Sequence, residues 1–202
     1  VRQTLNSIST IAINACAKPY GDAAIAGMAV ANQVIMFLFC VCIGIGQGLQ
    51  PVSAFNYGAK KYSRVRSAFF FVLTTGTIVL SIIGLCGYLF APVIIRQFRD
   101  DPKVIEVGVA ALRWQCLSMC VMPCSAFGNM LFQSIGKSRI ATFLASLRSG
   151  LALLPVLVIL TMILGLKGLE MSRFFAEVIT TIVTIPFLIG FFRSLPKEDE
   201  YA

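Results

Sequence analysis

The chain has 202 residues, of which 57% are hydrophobic and only 13% charged, and its mean hydropathy is +0.84. Soluble domains carry about 25% charged residues. This chain therefore cannot coat a water-facing surface of its own, which excludes a soluble enzyme, a disordered chain and a nucleic-acid-binding domain. It has no histidine and a net charge of +8, so the commonest general base and metal ligand is missing. An integral membrane protein of several spans remains.

The charge-free intervals give the organisation. Fifteen uncharged residues separate Arg2 from Lys18, 37 separate Asp22 from Lys60, and 29 separate Arg66 from Arg96. Twenty-three separate Arg113 from Lys137, 18 separate Arg148 from Lys167, and 15 separate Glu177 from Arg193. A spanning helix needs about 20 apolar residues. The second to fourth intervals suffice alone, and the fifth and sixth suffice if one flanking charge sits inside or snorkels. The first is short, as a helix cut at its start would be. Apolar residues run all round each segment without strand alternation. The expected fold is an all-α polytopic membrane bundle of about six helices, near 3–17, 23–49, 67–95, 103–135, 139–164 and 169–193. The first is truncated, and residues 194–202 form a tail. Because the chain opens with Val1 inside a helical pattern, a fragment is expected.

The connections are short. Lys18-Pro19-Tyr20-Gly21-Asp22 is a turn, and Asp100-Asp101-Pro102 is a helix start. Alternate connections share a side of the membrane. One side holds loops 60–66, 137–139 and the tail, with eight Lys/Arg. The other holds 18–22, 96–106 and 167–173, with six. Lys60, Lys61, Arg64 and Arg66 carry no accompanying acid, so the positive-inside rule places that loop and the C-terminus in the cytoplasm.

Charges at membrane depth are costly and mark functional candidates. Arg113, Arg148 and Glu177 lie inside the fourth, fifth and sixth helices. Each either ties helices together or lines a polar cavity, and Arg113 is expected to pair with Glu177 or to face a wet cleft. Asn14, Asn32, Gln33, Gln47, Gln50, Asn56, Asn129 and Gln133 are amides inside apolar runs, suited to interhelical hydrogen bonds or to substrate contact. Gly44-Ile45-Gly46-Gln47-Gly48 ends a membrane helix, so its glycines read as close-packing positions, not a phosphate loop. Pro123, Pro155 and Pro186 fall inside helices and are expected to kink them. Cys116, Cys120 and Cys124 form one helical stripe. A metal or redox role for it competes with packing as small hydrophobes. No nucleophile–base–acid set emerges, so an enzyme is not expected.

The stretch YGDAAIAGMAVANQVIMFLFCVCIGIGQGLQPVSAFNYGAKKYSRVR, from Tyr20 to Arg66, resembles the multidrug and toxic compound extrusion (MATE) family. Its most specific part is GIGQGLQP…NYGAKKY. FQSIGKSR from Phe132 to Arg139, and Leu147-Arg148 through Pro155 to Gly168, are similar to later family segments. The resemblance implies the C-terminal six-helix lobe of a two-lobe, twelve-helix transporter, its seventh to twelfth helices, partnered by a missing N-terminal lobe across a substrate cleft. It further implies export of cationic or amphipathic drugs from a bacterial plasma membrane in exchange for H⁺ or Na⁺, with small cationic substrates and no cofactor. Some members carry coupling acids in the seventh and tenth helices. Here the seventh has none before Asp22, and the tenth has only Glu106. The competing readings are a lipid-linked saccharide flippase of the same architecture and a non-transporting truncated fragment.

Overall fold

The computed structural model describes residues 2–98 and 101–196. Part of the 96–106 loop, Arg99 and Asp100, and most of the expected tail, 197–202, lie outside the described residues. The rest is helical: α1 (Arg2–Ala17), α2 (Asp22–Gly58), α3 (Tyr62–Phe98), α4 (Pro102–Ser118), α5 (Met122–Ser134), α6 (Ser138–Ser146), α7 (Leu153–Leu164) and α8 (Leu166–Ser194). α2, α3, the run Ser138–Leu164 and α8 are each long and apolar enough to cross a membrane. α4 and α5 together make a fifth such span, bent by 56°. α1, at 16 residues, is shorter than that.

Proline position explains where these helices continue and where they break. A proline inside a helix clashes with the carbonyl four residues back. For Pro123 that residue is Met119, and the helix expected over 103–135 is broken at Met119–Val121. There the backbone tightens to i→i+3 bonds, from Met119 to Cys116 and from Val121 to Ser118. For Pro155 it is Leu151, and Leu147–Leu151 widens into a π-turn closed by a bond from the Ala152 amide to the Leu147 carbonyl of 2.9 Å. Pro51, Pro92 and Pro186 are tolerated inside continuous helices. Consequently α2 runs nine residues beyond the expected end at 49, and Arg64 and Arg66 lie on the first turns of α3, not in a loop.

Asp101 caps α4, its side chain accepting from the Lys103 amide at 3.0 Å. Gly165 turns the chain between α7 and α8 at φ +61°, a conformation that glycine takes without strain. Where α2 crosses α4, a Cβ on Gly27 would lie 2.9 Å from the Gly108 amide nitrogen. Those backbones touch, as small residues permit in membrane bundles. In the Gly44–Gly48 segment only Gly46 packs this way, against Met130, whereas Gly44 and Gly48 face open space.

Two apolar cores stack along the bundle. The first joins Met28, Ala31 and Val34 of α2 to Ile95, Leu112, Leu157 and Leu169. The second joins Leu49 of α2 to Phe69, Phe127, Leu144 and Phe191. Both helix irregularities, 119–121 and 147–151, fall in the seam between the cores.

Candidate functional site

The seam is polar. Arg148 projects from the π-turn, and its Nε donates to Glu177 Oε2 of α8 at 3.3 Å. Ser125 of α5 donates to the other oxygen, Oε1, at 2.5 Å. The Arg148 guanidinium also lies 4.5 Å from the Phe39 ring centroid of α2, a cation–π distance. One carboxylate thus draws together α5, α8 and the π-turn, with α2 closing the guanidinium's face. The side chains are 24% and 12% exposed for Arg148 and Glu177, so the pair is mostly removed from water. Arg173, one turn before Glu177 on α8, lies within electrostatic reach of both partners, and its buried Nε has no hydrogen-bond partner among the described residues. Thr181 Oγ1 donates to the Val121 carbonyl at 3.3 Å, meeting an acceptor in the broken turn. A π-turn in a membrane helix frequently marks a functional position, and here it presents the one arginine that meets an acid across the bundle among the described residues.

Arg113 is elsewhere. Its guanidinium stacks 5.1 Å from the Tyr88 ring centroid of α3, and its Nε lacks a hydrogen-bond partner among the described residues. Of the two expectations for Arg113, the pair with Glu177 is not formed, because Arg148 holds that carboxylate, and the wet cleft remains the other expectation. Spacing could not choose between the two arginines, because the choice is made by the π-turn that rotates Arg148 inward.

The amides divide into two groups. Asn129 Nδ2 donates to the Ala141 carbonyl at 2.7 Å, tying α5 to α6. Asn56 Nδ2 bonds back to Val52 within its own helix at 2.8 Å. Gln115 of α4 donates to Asn32 of α2 at 3.0 Å, the interhelical role expected for Asn32, with Gln115 as the buried partner that sequence reasoning missed. Its signal was present, as a glutamine two residues after Arg113 in an apolar run. By contrast Asn14 on α1, Gln33 and Gln47 on α2, and Gln133 at the end of α5 are exposed.

The exposed amides Asn14, Gln33 and Gln47 lie along the α1–α2 side, whereas Gln97 and Gln133 lie at the ends of α3 and α5. The outward face of α3 is mostly large and apolar, with Phe71, Ile78, Ile82, Leu85, Leu89 and Val93 exposed beside Thr74, Thr75 and Cys86. The outward face of α8 does the same through Ile179, Ile182, Ile185 and Ile189. Such faces suit hydrocarbon. α1 and α2 instead interleave Thr4, Asn14, Gln33 and Gln47 with Met36, Phe37 and Gly44. Gln33 and Gln47 are fourteen residues apart on one face, about 21 Å along the axis. An amide in lipid would lack partners, so this mixed face suits a wet surface or a second bundle.

A family model described as MatE matches residues 1–163. The chain belongs to the MATE family. The MATE chain is 22% identical over 196 residues to the multidrug export protein MepA of Staphylococcus haemolyticus (strain JCSC1435), covering 97% of this chain and 43% of that protein. Its fold matches an outward-facing conformation of a multidrug resistance MATE family transporter of the MOP superfamily, with TM-score 0.89, 19% identity, and coverage of 96% of this chain and 44% of that one. It matches an inward-facing conformation of such a transporter with TM-score 0.89 and 18% identity, covering all of this chain and 47% of that one. This MATE chain thus spans less than half the length of the relatives it matches, and it adopts the fold of one lobe of the twelve-helix architecture.

Proposed function

We propose that the chain is the C-terminal lobe of a secondary transporter that exports cationic or amphipathic drugs in exchange for H⁺ or Na⁺, and that its α1–α2 face lines the substrate path opposite an N-terminal lobe. The observation that carries this is the run of exposed amides, Asn14, Gln33 and Gln47, along the α1–α2 side of a bundle whose α3 and α8 spans expose mostly apolar groups and carry no amide before their ends. A mixed apolar and amide surface suits amphipathic cations: the ring faces of Phe37 take the charge, the aliphatic groups take the body, and the amides adapt. The equal match to an inward-facing and an outward-facing transporter, TM-score 0.89 in each case, supports motion of this lobe as a unit against its partner. The Arg148–Glu177 pair, beneath that face in the seam, holds α5, α8 and the π-turn together during the motion. With the basic turn between α2 and α3 inside, the C-terminus is cytoplasmic in a plasma membrane.

The test is reconstitution of the complete transporter into liposomes with a fluorescent lipophilic cation, under separate Na⁺ and pH gradients. Uptake against the cation's own gradient with one of the two ions supports the reading and names the ion. Movement of the dye only down its own gradient, with neither ion having any effect, rejects it.

A further inference from the structure

At the basic end of the bundle, α3 and α8 part to leave a groove of about 440 Å³. Its walls are aromatic and aliphatic, with Phe69, Phe70 and Leu73 from α3 and Ile185, Leu188 and Phe192 from α8. Two arginines complete the lining, Arg66 near the start of α3 and Arg193 near the end of α8. Both are exposed, and neither meets a carboxylate among the described residues. Arg66 is held in place: its Nη2 donates to the Phe192 carbonyl at 2.7 Å, and its guanidinium lies 5.9 Å from the Phe192 ring centroid. That bond uses one of five donors, leaving the guanidinium with anion-binding capacity.

Depth decides what fits. The arginines sit within five residues of the ends of the two spans, at headgroup level. Leu73 is seven residues beyond Arg66 and Ile185 eight before Arg193, about 10–12 Å deeper along the helices. The groove therefore runs from a pair of cations into the hydrocarbon zone. It opens beside Phe70, which is 51% exposed, on the largely apolar α3–α8 side of the bundle and away from the amide face of α1 and α2. A polar drug path is thus on another side. A phosphodiester suits paired guanidinium groups, and basic pockets between helices at a membrane surface hold anionic lipid headgroups.

We propose that this groove binds one anionic phospholipid, with its phosphate against Arg66 and Arg193 and an acyl chain between α3 and α8. The site goes beyond the transport reading and stands whether or not the chain moves drugs.

Native mass spectrometry of the purified protein, titrated with phosphatidylglycerol and with phosphatidylcholine, tests it. Phosphatidylglycerol binds preferentially in the wild type. Arg193→Gln, which removes no hydrogen bond or ion pair among the described residues, weakens its binding about fivefold. Ile189→Trp, which fills the groove without changing charge, abolishes the preferentially bound lipid. Equal binding of the two lipids overturns the proposal, as does a preference untouched by both variants. Inorganic phosphate competing as strongly as phosphatidylglycerol overturns the acyl-chain half and leaves only a free-anion site.

Discussion

Arg148 and Glu177 are 29 positions apart in sequence and 3.3 Å apart in space. They meet because Pro155 removes a backbone donor and crowds the Leu151 carbonyl, the last residue of the π-turn that carries Arg148. The pair thus depends on a local distortion as well as on two charges. Removing one partner leaves a mostly buried charge, a loss of up to about 3 kcal/mol for a pair with this residual exposure. Arg148→Ala and Glu177→Ala should each lower the unfolding midpoint in detergent. The double variant should be less destabilised than the two losses added together. Coupling near zero in that cycle would contradict the pairing.

Glycine positions give a sign test. Gly27→Val places atoms against the Gly108 backbone and should cost about 1–3 kcal/mol. Gly44→Ala meets nothing within 4 Å and should gain up to about 1 kcal/mol from helix propensity. Thermal unfolding of both variants under one condition checks the pair. No loss of stability in Gly27→Val would reject the close α2–α4 crossing, and a loss in Gly44→Ala would reject the open space at Gly44.

Orientation follows from the uncompensated basic cluster at the α2–α3 turn. In a background lacking the seven native cysteines, Ser63→Cys should resist an impermeant thiol reagent added to intact cells, and Lys103→Cys should react. The reverse pattern would invert the topology.

The spans were legible because charges are excluded from hydrocarbon. The interval between Arg66 and Arg96, for example, lies wholly inside α3. Helix ends were less so. Pro51 and Asn56-Tyr57-Gly58 carry turn-forming residues, yet α2 continues to Gly58, since one proline removes only one bond. The break at Met119–Val121 was signalled by Pro123, but no single residue says whether a proline kinks, breaks or is tolerated; that depends on neighbours such as Thr181, which meets the freed carbonyl region. Within the site, Glu177 and Arg148 were legible as costly charges. Their pairing was not, because a π-turn shifts the face a residue presents. Ser125 and Phe39 carried no signal, as one serine and one phenylalanine among many.

The claim that the α1–α2 face lines the substrate path is tested most directly by cysteine protection in the complete transporter. Gln33→Cys and Gln47→Cys on that face, and Leu85→Cys on the apolar face of α3, are labelled with a small thiol reagent with and without a lipophilic cation. The cation should slow labelling at positions 33 and 47 and leave position 85 unchanged. Unchanged labelling at both amide positions, or equal slowing at all three, would contradict it.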